Sequence, residues 1–109
     1  MSRLDRVDSL LRSEIARIVS FKAREAQAGL YSITRVEAAK DLRTARVYYS
    51  FMGGSAQKDE SLDFLKSIGK SVKFELGKVT RFKTVPNLHF VYDDSIEKGV
   101  DVVNKLKDL

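Results

Sequence analysis

The chain has no cysteine, a single histidine and a single proline in 109 residues. Without cysteine there is no disulfide scaffold, zinc cluster, iron-sulfur centre or thiol nucleophile, and a reducing compartment fits best. The one histidine, His89, has no partner His, Asp or Glu at metal-ligand spacing, so metal or general-base chemistry would have to come from carboxylates alone. On a strand between apolar neighbours it reads as a packed or rim residue. Long apolar runs are also missing. The opening stretch MSRLDRVDSLLRSEIARIV is charged every few residues, whereas a signal peptide needs about 7 to 15 uninterrupted apolar residues and a membrane span about 18. A cytoplasmic protein, neither exported nor inserted in a membrane, is expected. One Pro and six Gly, with 32% charged residues interleaved among 43% hydrophobic ones, argue against disorder. A chain of this size buries roughly two-thirds of its unfolded surface, which suits one domain over residues 1–109 and leaves no room for a large enclosed substrate cavity.

Hydrophobic periodicity supplies the elements. Leu4, Val7, Leu11, Ile15 and Ile18 recur at spacings of three and four, widened by Leu10 and Val19, and predict an amphipathic helix over about residues 3–22. Gln27-Ala28-Gly29 then leads into two strands joined as a hairpin. In the second, Ala45, Val47, Tyr49 and Phe51 alternate with Arg46, Tyr48 and Ser50. In the first, the parity of Ile33 and Val36 does not match, which implies either a bulge or a strand covered on both faces. Leu62, Leu65, Ile68, Val72, Leu76 and Val79 mark a second helical stripe. Gly69 interrupts it at a cost of about 1 kcal/mol relative to Ala, so two helices meeting at a kink and one rod are both open. After Pro86, a strand over 87–93 places Leu88, Phe90 and Tyr92 on one face and His89 and Val91 on the other. Asp94 and Glu97 resemble a capping box ahead of a short C-terminal helix carrying Val100, Val103 and Leu106. The order predicts an α+β sandwich with helices on one sheet face.

Charge placement carries the functional signal. Gly53-Gly54 lacks the spacing and the lysine of a phosphate-binding loop, so nucleotide hydrolysis is unsupported. Asp93-Asp94 could hold Mg²⁺, but those residues stand where a helix cap is wanted. Residues 62–84 hold six cations (Lys66, Lys70, Lys73, Lys78, Arg81 and Lys83) against two acids, a net of +4. Lys66, Lys70, Lys73 and Arg81 share one side of the helix, nearly opposite Leu65, Val72, Leu76 and Val79. Such a stripe, taken alone, is most simply the solvated side of an amphipathic helix. Residues 3–24, however, add six cations, among them Arg3, Arg6 and Arg12, against three acids, while residues 93–109 carry five acids against three lysines. A domain polarised in this way suits a polyanion, because each Lys or Arg placed on a phosphate releases counterions without reading sequence.

Nearly the whole chain resembles the bacterial ribosome-binding factor A family. The likeness rests on Arg6-Val7 and Glu14-Ile15, on Ile33-Thr34-Arg35-Val36-Glu37 and Asp41-Leu42-Arg43-Thr44-Ala45-Arg46-Val47-Tyr48, and most specifically on the stretch from Arg81-Phe82-Lys83-Thr84-Val85-Pro86-Asn87 through Ser95-Ile96. It implies a type II KH-like domain: helix, two strands, helix, kink, helix and third strand, then a short C-terminal helix, with the helices on one face of a three-stranded sheet. In place of the Gly-x-x-Gly loop of RNA-binding KH domains, the family carries an Ala-x-Gly kink, which here is Ser67-Ile68-Gly69. The resemblance further implies a monomeric, non-catalytic assembly factor without cofactor, metal or small-molecule substrate. Its partners would be the free small (30S) ribosomal subunit and its rRNA, and its role late maturation, 5′-end processing of 16S rRNA and growth in the cold. The expected RNA-binding residues are Arg3, Arg6, Lys66, Ser67, Gly69, Lys70, Lys73, Arg81 and Lys83. Two other readings remain: a protein-binding module using a sheet edge or helix groove, and a small metal-dependent nuclease built on Asp93 and Asp94.

Overall fold

A computed structural model describes residues 3–80 and 84–95. Helix α1 (Arg3–Glu25) leads into strands β1 (Tyr31–Ala38) and β2 (Thr44–Phe51); a short 3₁₀ turn (Gly54–Gln57), helix α2 (Lys58–Val79) and strand β3 (Asn87–Tyr92) follow. The sheet order is β1-β2-β3, with β1 and β2 antiparallel and β2 and β3 parallel. The parallel pair needs a crossover, which α2 supplies. Both helices pack against this three-stranded sheet in an α+β, KH-like arrangement. None of the described helices is long and apolar enough to cross a membrane. The expected C-terminal helix falls on residues 96–109, outside the described residues.

Local chemistry explains the boundaries. At the end of α1, the Gln27 and Ala28 amides bond back to the Arg24 and Ala23 carbonyls at 3.2 and 2.9 Å, with Gln27 at φ +52°. That is a Schellman ending with glutamine at the left-handed position where glycine is usual. Gly29, at φ +103°, turns the chain into β1 beneath the Phe51 ring; a Cβ there would lie 2.7 Å from it. The hairpin closes through Ala39 N–H to Thr44 carbonyl at 2.9 Å, with Leu42 at φ +58°. Of the two explanations for the broken parity in β1, the structure contains the bulge. Pairing shifts between Ile33 and Arg35, so Thr34 is the extra residue. Its hydroxyl is used, donating to Asp93 Oδ2 at 2.6 Å.

The core lies between helices and sheet. Leu11, Ile15, Ile18, Val19 and Ala23 from α1 meet Tyr31, Val36, Ala38, Ala45, Val47 and Tyr49 from the sheet and Leu65, Val72 and Leu76 from α2. Each large aliphatic among them contributes about 1.5 to 3 kcal/mol over an exposed position. Two members of the predicted stripes fall outside: Leu10 and Val79 are exposed. Ser61 is the one buried polar residue of the described core. Its hydroxyl donates to the Lys58 carbonyl (2.8 Å) and so accepts from the Tyr49 hydroxyl (2.9 Å), while Tyr31 donates to the Ser61 carbonyl (3.2 Å). Burial pushes the Tyr31 pKa up to about 12.

Gly69 does not break the second helix. Helix α2 runs unbroken from Lys58 to Val79, with Ser67-Ile68-Gly69 inside it, so the expected pair of helices meeting at a kink is one helix here. The reason is packing. Leu65, Val72 and Leu76 are fully buried against the sheet on both sides of the glycine, and several kcal/mol of burial outweighs about 1 kcal/mol of lost propensity.

Candidate nucleic-acid interface

Helix α2 positions the candidate site. Asp59 and Glu60 in its first turn and Lys78 in its last complement the helix dipole. At its end, the Thr80 amide and hydroxyl both donate to the Leu76 carbonyl, at 3.0 and 2.7 Å. With Leu65, Val72 and Leu76 fixed inward, the 100° step turns Lys66, Lys70, Lys73 and Lys78 outward over an arc of about 140°. Among the described residues no carboxylate pairs with Lys66, Lys70 or Lys73; Lys78 alone of the arc pairs, with Glu75 at 3.5 Å.

Strand β3 supplies the opposite wall. A groove of about 300 Å³ is lined by Lys66, Gly69, Lys70 and Lys73 from the helix and by Asn87, Leu88, His89 and Phe90 from the strand. Because β3 is an edge strand among the described residues, half of its backbone polar groups point away from β2. Lys73 Nζ donates to Asn87 Oδ1 at 2.7 Å, which holds one ammonium at the rim. Gly69 keeps the floor low, since a Cβ there would approach Phe90 Cε2 to 3.9 Å and project into the groove. Ammonium groups, an amide and strand N–H groups around a shallow trough are donors to phosphate and 2′-hydroxyl oxygens, and the strand carbonyls can accept from the hydroxyls.

The structure gathers four of the nine expected residues, Lys66, Gly69, Lys70 and Lys73. Ser67 does not line the groove; its hydroxyl donates to the Phe64 carbonyl at 2.6 Å within its own helix. Arg6 is exposed on α1 and is not among the residues that line the groove; Arg3 opens that helix. Arg12 faces a different cleft, shared with Asp5, Asp8 and Glu37, where acids offset it. Arg81 and Lys83 lie outside the described residues. His89, read from its apolar neighbours as packed or at a rim, is exposed and lines the groove. Sequence reasoning missed the strand wall, and the missing signal was the pairing of β3 beside α2, which periodicity does not contain.

Other charged side chains outside the groove have partners of their own. On the open sheet face, Arg35 lies 4.2 Å over the Tyr48 ring and pairs with Glu37 at 3.1 Å. Asp93 accepts the Thr34 hydroxyl and, through Oδ1, the Ser95 amide at 2.9 Å. These bonds, Thr34 first, hold its carboxyl below the usual range. The capping box expected of Asp94 and Glu97 reaches into residues 96–109, outside the described residues. Among the described residues no group of three or more His, Asp or Glu could hold a metal ion.

Comparison with known proteins agrees with the resemblance. The profile of the family described as Ribosome-binding factor A matches residues 3–106. The chain belongs to the ribosome-binding factor A family. Ribosome-binding factor A of Desulfitobacterium hafniense (strain DSM 10664 / DCB-2) is 36% identical over 105 residues, 96% of this chain and 84% of that protein. Among solved structures, the crystal structure of ribosome-binding factor A from Thermus thermophilus superimposes with a TM-score of 0.69 at 17% identity, covering 84% of this chain and 97% of that one. A Thermus thermophilus homology model of the factor, fitted into the cryo-EM map of a 30S–RbfA complex, superimposes with a TM-score of 0.60 at 18% identity, covering 80% and 91%. These two likenesses fix the fold of the family.

Proposed function

We propose that this chain is a non-catalytic assembly factor that binds the free small ribosomal subunit and assists late maturation of its RNA, including 5′-end processing of 16S rRNA. It acts as a single monomeric domain without cofactor, metal or small-molecule substrate. The observation that carries this reading is the groove between α2 and β3, where Lys66, Lys70 and Lys73 meet an edge strand without a described carboxylate to neutralise them. Family membership supports it, as does the placement of the Thermus thermophilus factor in a map of a 30S complex. In this reading the lysines seat rRNA phosphates while the β3 edge meets sugar hydroxyls. The factor then favours one arrangement of an RNA junction and leaves when the subunit reaches a state it binds less well.

The test is co-sedimentation with free small subunits and with complete ribosomes, using the wild type and a Lys66→Ala, Lys70→Ala, Lys73→Ala variant. The wild type is expected to travel with the free subunit, in preference to complete ribosomes. The variant should bind more weakly, and its log-log salt slope should be flatter by roughly 0.7 to 0.9 for each phosphate that the removed lysines had neutralised. A folded variant with unchanged affinity and slope moves the binding surface away from this groove. Retention of the subunit in excess free RNA points instead to a protein contact.

A further inference from the structure

An aromatic ring stands within the lysine arc. Phe74 lies one turn after Lys70 and one turn before Lys78, and it is 65% exposed, although α2 has an inward face on which a ring could be buried. Lys78 Nζ sits 4.6 Å from the ring centroid and 3.5 Å from Glu75 Oε1, which draws that ammonium against the ring. A second trough of about 650 Å³ runs past Phe74 and shares Lys70, Lys73 and Asn87 with the lysine groove, so the two adjoin. Gly77 and Val85 also line it, and a Cβ at Gly77 would lie 3.5 Å from Val85 Cγ2.

We propose that Phe74 is a stacking platform for an unpaired nucleobase of the RNA whose backbone the lysine groove holds. This makes single-stranded or bulged RNA, not continuous duplex, the ligand class of the site. The inference rests on the RNA-binding reading above. A nucleotide offers together what this surface lacks: a flat π face for an exposed ring and an anion for the ammonium groups around it. An apolar protein partner matches poorly, because burying Phe74 would also desolvate the lysines at positions 70 and 78. A regular RNA duplex matches poorly too, since its bases are stacked inside and its minor groove shows hydroxyls and base edges. From Lys66 to Lys78 the helix rises about 18 Å, enough for a short extended strand to touch several lysines and the ring at once.

The experiment measures affinity for a ten-nucleotide mixed-sequence single-stranded RNA and for a continuous duplex of the same length, each across a series of salt concentrations. Phe74→Leu keeps an apolar side chain without a π face, Phe74→Trp enlarges that face, and Lys66→Ala with Lys70→Ala removes cations. Phe74→Leu should weaken single-strand binding roughly 5- to 150-fold, leave duplex binding as it was and leave the salt slope unchanged. Phe74→Trp should match or exceed the wild type, and the lysine variant should flatten the slope for both RNAs. Wild-type affinity in Phe74→Leu alongside a weakened lysine variant overturns the stacking inference alone. Equal losses on single strand and duplex also overturn it, by assigning Phe74 to surface shape. No effect of either variant, or no RNA binding by the wild type, overturns the underlying reading and the inference with it.

Discussion

Replacing Gly69 by alanine tests whether α2 is an ordinary helix at that point. In the middle of a helix, glycine is about 0.8 to 1.0 kcal/mol less favourable than alanine, because it loses more backbone freedom on folding. The gain is realised only if the new methyl fits, and here it does. A Cβ at position 69 would meet Phe90 Cε2 at 3.9 Å, ordinary van der Waals contact, and the residue is not in the left-handed region that would strain an alanine. Gly69→Ala is therefore expected to stabilise the domain by about 0.5 to 1 kcal/mol. For a domain of this size that corresponds to roughly 2 to 4 °C in Tm, read by far-ultraviolet circular dichroism. Gly69→Glu separates folding from binding. Its carboxylate would enter the groove beside Lys66 and Lys70, so RNA affinity should fall while the helix persists. A Gly69→Ala variant that unfolds several degrees lower than the wild type would refute the continuous helix and restore the kink that the family resemblance implies.

Three further outcomes follow from local geometry. Gln27→Gly should stabilise by about 0.5 to 1 kcal/mol in thermal unfolding, since a non-glycine residue at φ +52° carries a left-handed penalty that glycine does not. Raised from 10.0 to about 12, the Tyr31 pKa makes a contribution to stability that is fully present below pH 10 and lost between pH 10 and 12, as the unfolded phenol ionises first. Tyr31→Phe should lessen that alkaline loss in denaturant titrations, with Tyr49, also pushed up by burial, supplying a remainder. For Asp93 the sign is opposite: its depressed pKa contributes stability above the ordinary carboxylate range and loses it as pH falls through the folded value. Thr34→Val should move the Asp93 titration, followed by NMR, back toward the ordinary value.

The readings that succeeded needed one element at a time. Strand β2 was legible because Ala45, Val47 and Tyr49 must all point the same way if any does, and all three are buried. The lysine arc was legible because α2 fixes its angles once Leu65, Val72 and Leu76 are assigned to the core. Gly69 shows where such reasoning stops, since helix propensity is worth about 1 kcal/mol and flanking burial is worth several times that. Broken parity in β1 announced a departure from regular pairing, but only the register identified Thr34 as the extra residue, and only the fold brought Asp93 to its hydroxyl.

The groove was only half legible for the same physical reason. One wall is a helix face, which a periodicity of 3.6 specifies, and the other is β3, whose place beside α2 depends on parallel pairing with β2. Sequence alternation gives which β3 side chains point outward but not what they point towards. Phe74 falls between these cases. Its angle on the helix, between Lys70 and Lys78 and away from Val72 on the core side, is fixed by sequence alone, yet an aromatic on a helix is ordinarily taken as core. Its exposure makes the same residue informative about the ligand. A site built only of lysines would hold any polyanion, and an exposed ring among them narrows the class to one that carries an accessible π face.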